Sequence, residues 1–80
     1  MKLEIVERSG LAFSGEVSSV VVPMVTGELG ILPGHTPLLG VLQAGEVRYT
    51  TLDGVQHREP TGEGFVTLDD DEVMVVVDPR

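Results

Sequence analysis

The sequence predicts an all-β fold, a flattened sandwich or barrel of about eight short strands. Twenty-two of its 80 residues are β-branched (14 Val, 2 Ile and 6 Thr), against only two Ala. β-Branched side chains pack well on a pleated surface but lose rotamer freedom in a helix. Ten Gly and five Pro recur between the apolar runs and mark frequent chain reversals. No window keeps a helical apolar stripe over three turns, so we expect no helix.

The first two strands follow from apolar alternation. Leu3 and Ile5 alternate with charged residues, and Ser9-Gly10 ends that strand. A second strand runs from Phe13 through residues 17–22, whose three final valines predict an end covered on both faces. Pro23 has no N–H to donate, so we expect strand pairing to stop or to reach an edge there.

Residues 26–37 predict a stiff loop, because three Gly and two Pro interleave with apolar anchors. Five further strands are expected after it: residues 38–42 (broken by Gly40), 46–52, 55–59 (ending at Pro60), 64–68 and 73–77. Asp53-Gly54 predicts a hairpin with a type I′ turn, which needs positive φ at both central residues. Asp69 to Glu72 is too charged to bury, whereas Val73 to Val77 is apolar enough to be covered on both faces.

Length and charge restrict the function. Eighty residues form one domain, 1–80, and five basic against 13 acidic residues leave a net charge of −8. Such a chain is a poor ligand for nucleic acid. The absence of cysteine excludes a disulfide scaffold. No apolar run is long enough to cross a bilayer, so we expect a soluble protein that does not insert into membranes.

Candidate catalytic and metal-binding residues lack the partners that such chemistry needs. His35 and His57 have no zinc-ligand spacing, and His57 is expected to be an exposed strand residue. The acidic run at residues 69–72 lacks the EF-hand pattern, and the glycines at 27, 30 and 34 are followed by no phosphate-binding Lys-Ser/Thr pair. We therefore expect no catalytic residue, cofactor or metal, and no enzymatic activity. Instead, the stiff loop carrying Glu28 and His35 is suited to contacts with another protein.

Three segments resemble one known family. They are Phe13-Ser14-Gly15, the block GELGILPGHTPLL from Gly27 to Leu39, and LQAGEVR from Leu42 to Arg48. They look like the epsilon subunit of F-type ATP synthase, to which Gly62-Glu63-Gly64-Phe65 and the strand from Val73 to Asp78 are also similar. The similarity covers the whole chain, and the long central block is highly specific.

The resemblance implies a flattened ten-stranded sandwich, which widens the expected range to eight to ten strands. It also implies a central-stalk (rotor) subunit that links the gamma subunit to the membrane c-ring and couples proton flow to ATP synthesis. By the same resemblance, Gly27, Glu28, Leu29 and Gly30 face the c-ring and His35 faces gamma. The subunit would be monomeric when isolated, present in one copy per complex, and peripheral on the cytoplasmic face of a bacterial plasma membrane.

The sequence departs from this family in two places. The family usually continues into a helical hairpin that restrains ATP hydrolysis, whereas this sequence stops at Asp78-Pro79-Arg80, so we expect no inhibitory role. Thr61-Gly62-Glu63-Gly64 replaces a more usual Ser/Thr-Gly-Gly turn. The alternative hypotheses are a stand-alone β-sandwich interaction module and a ligand-binding module, for which one Tyr, two Phe and no Trp provide little aromatic lining.

Overall fold

The computed structural model describes all 80 residues, and every regular element is a strand. The seven strands are β1 (Lys2–Glu7), β2 (Gly10–Met24), β3 (Gly27–Ile31), β4 (Leu38–Leu42), β5 (Gly45–Thr51), β6 (Gln56–Asp69) and β7 (Glu72–Pro79). The predicted all-β class is therefore confirmed. The strand count is seven rather than eight to ten, because β2 and β6 are long, with 15 and 14 residues. No helix is present that could span a membrane.

The two long strands bend and take part in both layers of the sandwich. The first half of β2 pairs with β1, and its second half pairs with β5 on one side and β3 on the other. β6 pairs first with β5, and then with β4 and β7. Layer A thus contains β3, the end of β2, β5 and the start of β6. Layer B contains the start of β2, β1, β7, the end of β6 and β4, with β1 and β7 parallel.

The core lies between the layers and consists of 14 buried apolar side chains from all seven strands. Burying each valine, leucine or isoleucine contributes roughly 1.5–3 kcal/mol. Both apolar runs predicted to be covered on two faces are covered on one. Val73, Val75 and Val77 are buried, but Met74 is exposed and Val76 is half-buried. Val21 is likewise half-buried between two buried neighbours, because each layer has only one partner layer.

β2 continues one residue past Pro23, as far as Met24. Its pairing with β5 ends at Val21, as expected for a strand that approaches a residue without an N–H. On the same side, however, the Pro23 carbonyl accepts a hydrogen bond from the Gln43 N–H at 2.9 Å, and Met24 pairs with Leu42 of β4. On the other side β2 stays paired with β3, and Pro23 lies opposite Glu28. The prediction about Pro23 is therefore right for the pairing with β5 but wrong for the strand as a whole, because β2 stays paired with β3 and changes partner to β4.

The segment predicted as a loop at residues 26–37 is partly a strand. Residues 25–26 form a tight turn, after which β3 pairs with β2 from Gly27 to Ile31. The glycines did not prevent pairing, because Gly27 and Gly30 lie at exposed positions where no side chain is required. The irregular loop is confined to residues 32–37. β4 in turn runs through Gly40 without a break, and Gly40 leaves space for the Met24 side chain.

The hairpin between β5 and β6 is confirmed, but its turn is not type I′. Only Gly54 has positive φ, at +86°. The Gly54 N–H donates to the Thr51 carbonyl at 2.9 Å, and the Thr51 N–H donates to the Val55 carbonyl at 3.0 Å. These bonds define a three-residue hairpin loop whose last residue, Gly54, adopts the left-handed backbone conformation. The type I′ geometry occurs instead between β6 and β7, where Asp70 and Asp71 have φ of 51° and 58°.

The Asp53 carboxylate organises the β5–β6 loop. It accepts hydrogen bonds from the Thr51 hydroxyl and from the Val55 N–H. Both bonds hold the pKa of Asp53 below its usual range, and the bond from Thr51 has the larger effect. The charge of the nearby His57 adds a smaller effect in the same direction.

Two predicted strands, residues 55–59 and 64–68, are one bent strand, β6, which passes through Pro60. Pro60 is tolerated because only β5 pairs with this half of β6. The bend lies between Thr61 and Gly64, where the register with β7 shifts. A methyl group on Gly64 would lie 2.7 Å from the Cα of Val77 and would overlap the Val76 carbonyl oxygen. Only glycine therefore permits this approach of β6 to β7.

We predict that Gly64→Ala destabilises the protein by about 3 kcal/mol, because the new methyl group forces β6 and β7 apart. Gly30→Ala is the matched control. Its methyl group meets no atom within 4 Å, so its effect should stay within about 1 kcal/mol. Urea unfolding followed by circular dichroism measures both changes, and equal midpoints for the two variants would contradict the prediction.

We also predict a pH-dependent difference in melting temperature between the wild type and Asp53→Asn. Because folding lowers the pKa of Asp53, its carboxylate stabilises the protein above the unfolded-state value of about 3.9. That contribution disappears as pH falls through the lowered pKa. The wild type should therefore exceed Asp53→Asn at pH 6 and lose this advantage at pH 2.5.

Thr51→Val provides the control, because it removes the largest cause of the shift. When Thr51→Val is already present, adding Asp53→Asn should lower the melting temperature at pH 6 by less than it does in the wild type. A pH 6 advantage of the same size with and without the Thr51 hydroxyl would show that the loop is not organised by this bond.

Candidate interaction surfaces

The segment predicted to face the c-ring, Gly27 to Gly30, lies on an edge strand rather than on a free loop. β3 pairs only with β2, so its other edge carries unpaired backbone groups. Glu28 and Gly30 are exposed, whereas Leu29 packs against the core. An exposed edge flanked by a carboxylate can accept contacts from another chain without rearrangement of the core.

Glu28 has a partner within its own chain. The Arg48 guanidinium on β5 donates to one Glu28 oxygen at 3.1 Å, so the pair reaches across β2. The two side chains are 60% and 40% exposed, and such surface pairs contribute only about 0–1 kcal/mol. The carboxylate is therefore held in place, yet one of its oxygens remains available for a second cation.

His35 lies in a rigid turn between β3 and β4. The His35 N–H donates to the Leu32 carbonyl at 3.1 Å, with Pro33 and then Gly34 (φ +84°) at the central positions. That combination is typical of a type II turn. The Gly34 N–H donates to the Asp71 carboxylate at 2.8 Å, which fastens the turn to the β6–β7 connection. One ring nitrogen of His35 lies 2.7 Å from the Thr36 carbonyl oxygen.

The structure separates the two predicted contact regions. Glu28 is near the start of β3, beside the β2–β3 turn, and His35 follows the other end of this strand. They therefore belong to two surfaces and cannot form one site. No group of three or more His, Asp or Glu side chains is arranged to hold a metal ion.

His57 was expected to be exposed, but it is half-buried. Its ring stacks on Tyr49 with centroids 5.1 Å apart, and Tyr49 in turn lies 4.3 Å from the Phe13 ring. The Thr51 hydroxyl lies 3.3 Å from the Nε2 atom of His57. Burial, and to a smaller extent the Glu59 charge, raises the pKa of Tyr49. Phe13 lies on the layer B part of β2, whereas Tyr49 and His57 lie on layer A strands, so the three rings connect the two layers.

Exposed and half-buried apolar side chains form a surface on the outer face of layer B that was not expected from the sequence. Strand register aligns one apolar row across five strand segments, and in the neighbouring row Met74 and Leu39 lie on either side of Thr67. Together these rows form the apolar stripe: Leu11, Val6, Val76, Phe65 and Val41, with Met74 and Leu39 next to them. Leu39 is 75% exposed and Phe65 is 45% exposed. Large apolar patches of this kind mark interaction sites.

Acidic residues border the apolar stripe on both sides. One shallow cleft beside Met74, about 280 Å³ in volume, includes Glu4, Asp69, Asp70 and Glu72 in its lining. A second cleft, beside Phe65 and about 380 Å³, includes Glu7, Glu63 and Asp78. An apolar centre with a polar rim is the usual arrangement of a protein interface. The available signal in the sequence was the pair of apolar runs at residues 38–42 and 73–77. The first was predicted only as a strand broken by Gly40, and the second was wrongly interpreted as covered on both faces.

Comparisons with known proteins identify the family. The family model described as the ATP synthase Delta/Epsilon chain, beta-sandwich domain, matches residues 1–79. The ATP synthase epsilon chain of Micrococcus luteus is 43% identical over 75 residues, which cover 94% of this chain and 82% of that protein. The epsilon chain of Campylobacter fetus is 41% identical over 76 residues, covering 95% and 59%. The chain thus spans about 60% of the length of the Campylobacter protein and of a similar relative from Wolinella succinogenes.

Solved structures agree on the fold. A chain in the Euglena gracilis mitochondrial ATP synthase superposes with a TM-score of 0.87 at 21% identity, covering 94% of this chain and 48% of the other. A chain in the central stalk and c-ring of the Tetrahymena thermophila enzyme superposes with a TM-score of 0.79 at 16% identity, covering 96% and 62%. The resemblance carried by the Gly27–Leu39 block is confirmed, and this chain belongs to the ATP synthase delta/epsilon family as its β-sandwich domain.

Proposed function

We propose that residues 1–80 act as one epsilon-type domain in the central stalk of a proton-translocating F-type ATP synthase. In this role the domain connects the gamma subunit to the c-ring and takes part in coupling proton flow to ATP synthesis without catalysing a reaction itself. The family match over residues 1–79 supports this role. The complex would hold it at the cytoplasmic face of a bacterial plasma membrane.

The observation that carries the proposal is that two unlike surfaces lie on different layers. Layer B presents the apolar stripe, and layer A presents the charged edge strand β3. A linking subunit must bind two partners at once, so it needs two surfaces that do not overlap. A stand-alone module that binds one ligand would not need two separate interaction surfaces.

The proposed binding surface for the gamma subunit is the apolar stripe. A permanent partner in a rotor requires a large contact with an apolar centre, which only layer B offers. His35, the residue expected on the gamma side, lies three positions before the start of β4, and β4 carries Leu39 and Val41 of the apolar stripe. The acidic rims favour a gamma surface with basic residues around an apolar centre.

The c-ring is assigned to the edge formed by Gly27, Glu28, Leu29 and Gly30. The free oxygen of Glu28 suits a basic residue in a polar loop, and the unpaired edge of β3 offers backbone groups for hydrogen bonding. Each such contact is weak by itself at an exposed site. Attachment to gamma raises the effective concentration of this edge near the ring.

We predict that Phe65→Asp weakens binding to purified gamma subunit by at least about 100-fold, because it places a charge at the centre of the apolar stripe. Leu52→Asp is the matched control, since Leu52 is also exposed but lies in the β5–β6 loop. Surface plasmon resonance measures both affinities, and circular dichroism verifies the fold. Equal losses for the two variants would exclude the apolar stripe as the gamma site.

A second prediction concerns the c-ring edge. Glu28→Lys should reduce ATP-driven proton pumping in reconstituted vesicles while the sandwich stays folded, because a basic loop would then face a lysine. Arg48→Gln separates the two possible causes, since it also breaks the Glu28–Arg48 pair but keeps the carboxylate. Pumping should remain near the wild-type rate in Arg48→Gln; equal impairment would mean that the internal ion pair is what matters.

A further inference from the structure

The outer face of layer A contains a cleft that neither proposed partner surface uses. It has a volume of about 250 Å³ and lies where β2, β5 and β6 run side by side. Its outer-face lining consists of Ser19, Val21, Arg48, Thr50, Gln56 and Arg58. Tyr49 and His57 also border it, with their stacked rings on the core face of the layer. We refer to it as the arginine cleft.

The arginine cleft differs in charge from the rest of the molecule. The chain carries 13 acidic and only five Lys or Arg residues, and the two clefts of layer B contain four and three acidic side chains. The arginine cleft contains none, and two of the five basic residues line it. The side chains that line it are therefore basic or neutral, in contrast to the acidic clefts of layer B.

Strand register places the two arginines directly opposite each other, Arg48 on β5 and Arg58 on β6. Like charges at such a position are unfavourable unless an anion lies near. Each guanidinium has one carboxylate neighbour at the border of the cleft: Glu28 for Arg48 at 3.1 Å, and Glu46 for Arg58 at 3.4 Å. Each contact uses a single nitrogen, although a guanidinium has five N–H donors.

The neutral polar side chains of the arginine cleft are also unused. The Ser19 and Thr50 hydroxyls and the Gln56 amide make no hydrogen bond within the protein; the bond at Thr50 involves its backbone carbonyl, which accepts from Ser18. Hydroxyl and amide groups can donate to an oxyanion. Two guanidinium groups and three neutral donors thus line one small space without an ionised acceptor among them.

We propose that the arginine cleft binds a phosphate group. Planar guanidinium groups match the geometry of phosphate oxygens and can bind them through two parallel hydrogen bonds. The volume accommodates a phosphate or a pyrophosphate but is smaller than a pocket for a whole drug-sized ligand. The ligand is thus a phosphate monoester or diphosphate, either free in solution or in the head group of an anionic lipid.

The test is a titration of the ¹⁵N-labelled protein with pyrophosphate at constant ionic strength, followed by amide NMR. Saturable shifts should be concentrated at Ser19, in β5 and at residues 56–58. Arg58→Gln should weaken binding by about tenfold or more, because it removes one guanidinium. Arg8→Gln is the matched control. Arg8 is also exposed and bonded to one carboxylate, that of Asp78, but it lies outside the cleft.

A substitution that leaves the charge unchanged distinguishes a specific phosphate site from general electrostatic attraction. Thr50→Val keeps both arginines and removes one hydroxyl, so it should weaken pyrophosphate binding measurably. As a salt control, chloride at the same ionic strength should produce no localised shifts in the wild type. Equal weakening by Arg8→Gln and Arg58→Gln, or absence of saturable shifts in the wild type, would overturn the proposal.

Sedimentation with vesicles distinguishes the two sources of phosphate. Vesicles of phosphatidylcholine with 20% phosphatidic acid, but not of phosphatidylcholine alone, should retain the wild type and release Arg58→Gln if the ligand is a lipid head group. Localised pyrophosphate shifts without vesicle binding would assign the site to a soluble phosphate. Vesicle binding that survives Arg58→Gln, without saturable pyrophosphate binding, would contradict the proposal.

Discussion

Both layers of the sandwich depend on the close approach of β6 to β7 at Gly64. The absence of a side chain lets β6 bend there and pass from layer A, where it pairs with β5, into layer B, where it lies between β4 and β7. β2 makes the corresponding passage on the other side, with a register shift between Val17 and Ser19. Each of the two bent strands therefore contributes to both layers, where a larger sandwich would use separate short strands. The core of 14 apolar side chains is enclosed as a result, although the chain is only 80 residues long.

The strand register that closes the core also determines what the surface presents. On layer B it aligns Val41, Phe65 and Val76 into one row, so apolar residues from distant parts of the sequence become a continuous stripe between acidic rims. On layer A it sets Arg48 opposite Arg58 and brings Glu28 within reach of Arg48. One face is thus suited to a large apolar contact and the other to charged and anionic ligands. This division is consistent with a domain that connects two partners within one assembly.

Most of the fold was predictable from local chemistry. β-Branched composition determined the all-β class, and the apolar runs between turn residues located the strand centres around Ile5, Tyr49 and Val66. The errors in the strand boundaries share one cause. Interruptions at Pro23, Gly40 and Pro60 were expected to end strands. Proline is tolerated, however, where β2 changes partner from β5 to β4 and where one side of β6 is unpaired, and glycine is tolerated where the Met24 side chain fills the space. Whether a side of a strand is unpaired depends on the arrangement of other strands, which no local window contains.

By itself, the sequence determined the β class, the acidic character and, through the Gly27–Leu39 block, the family. It also contained the turn at Pro33-Gly34, because proline and glycine impose that geometry on their own backbone. Only the tertiary structure decided which apolar residues are left outside the core and which charges meet. Val73–Val77 was interpreted as doubly buried, yet Met74 and Val76 belong to the apolar stripe. The reason is physical: covering a second face requires a third layer, and a chain of this length forms only two.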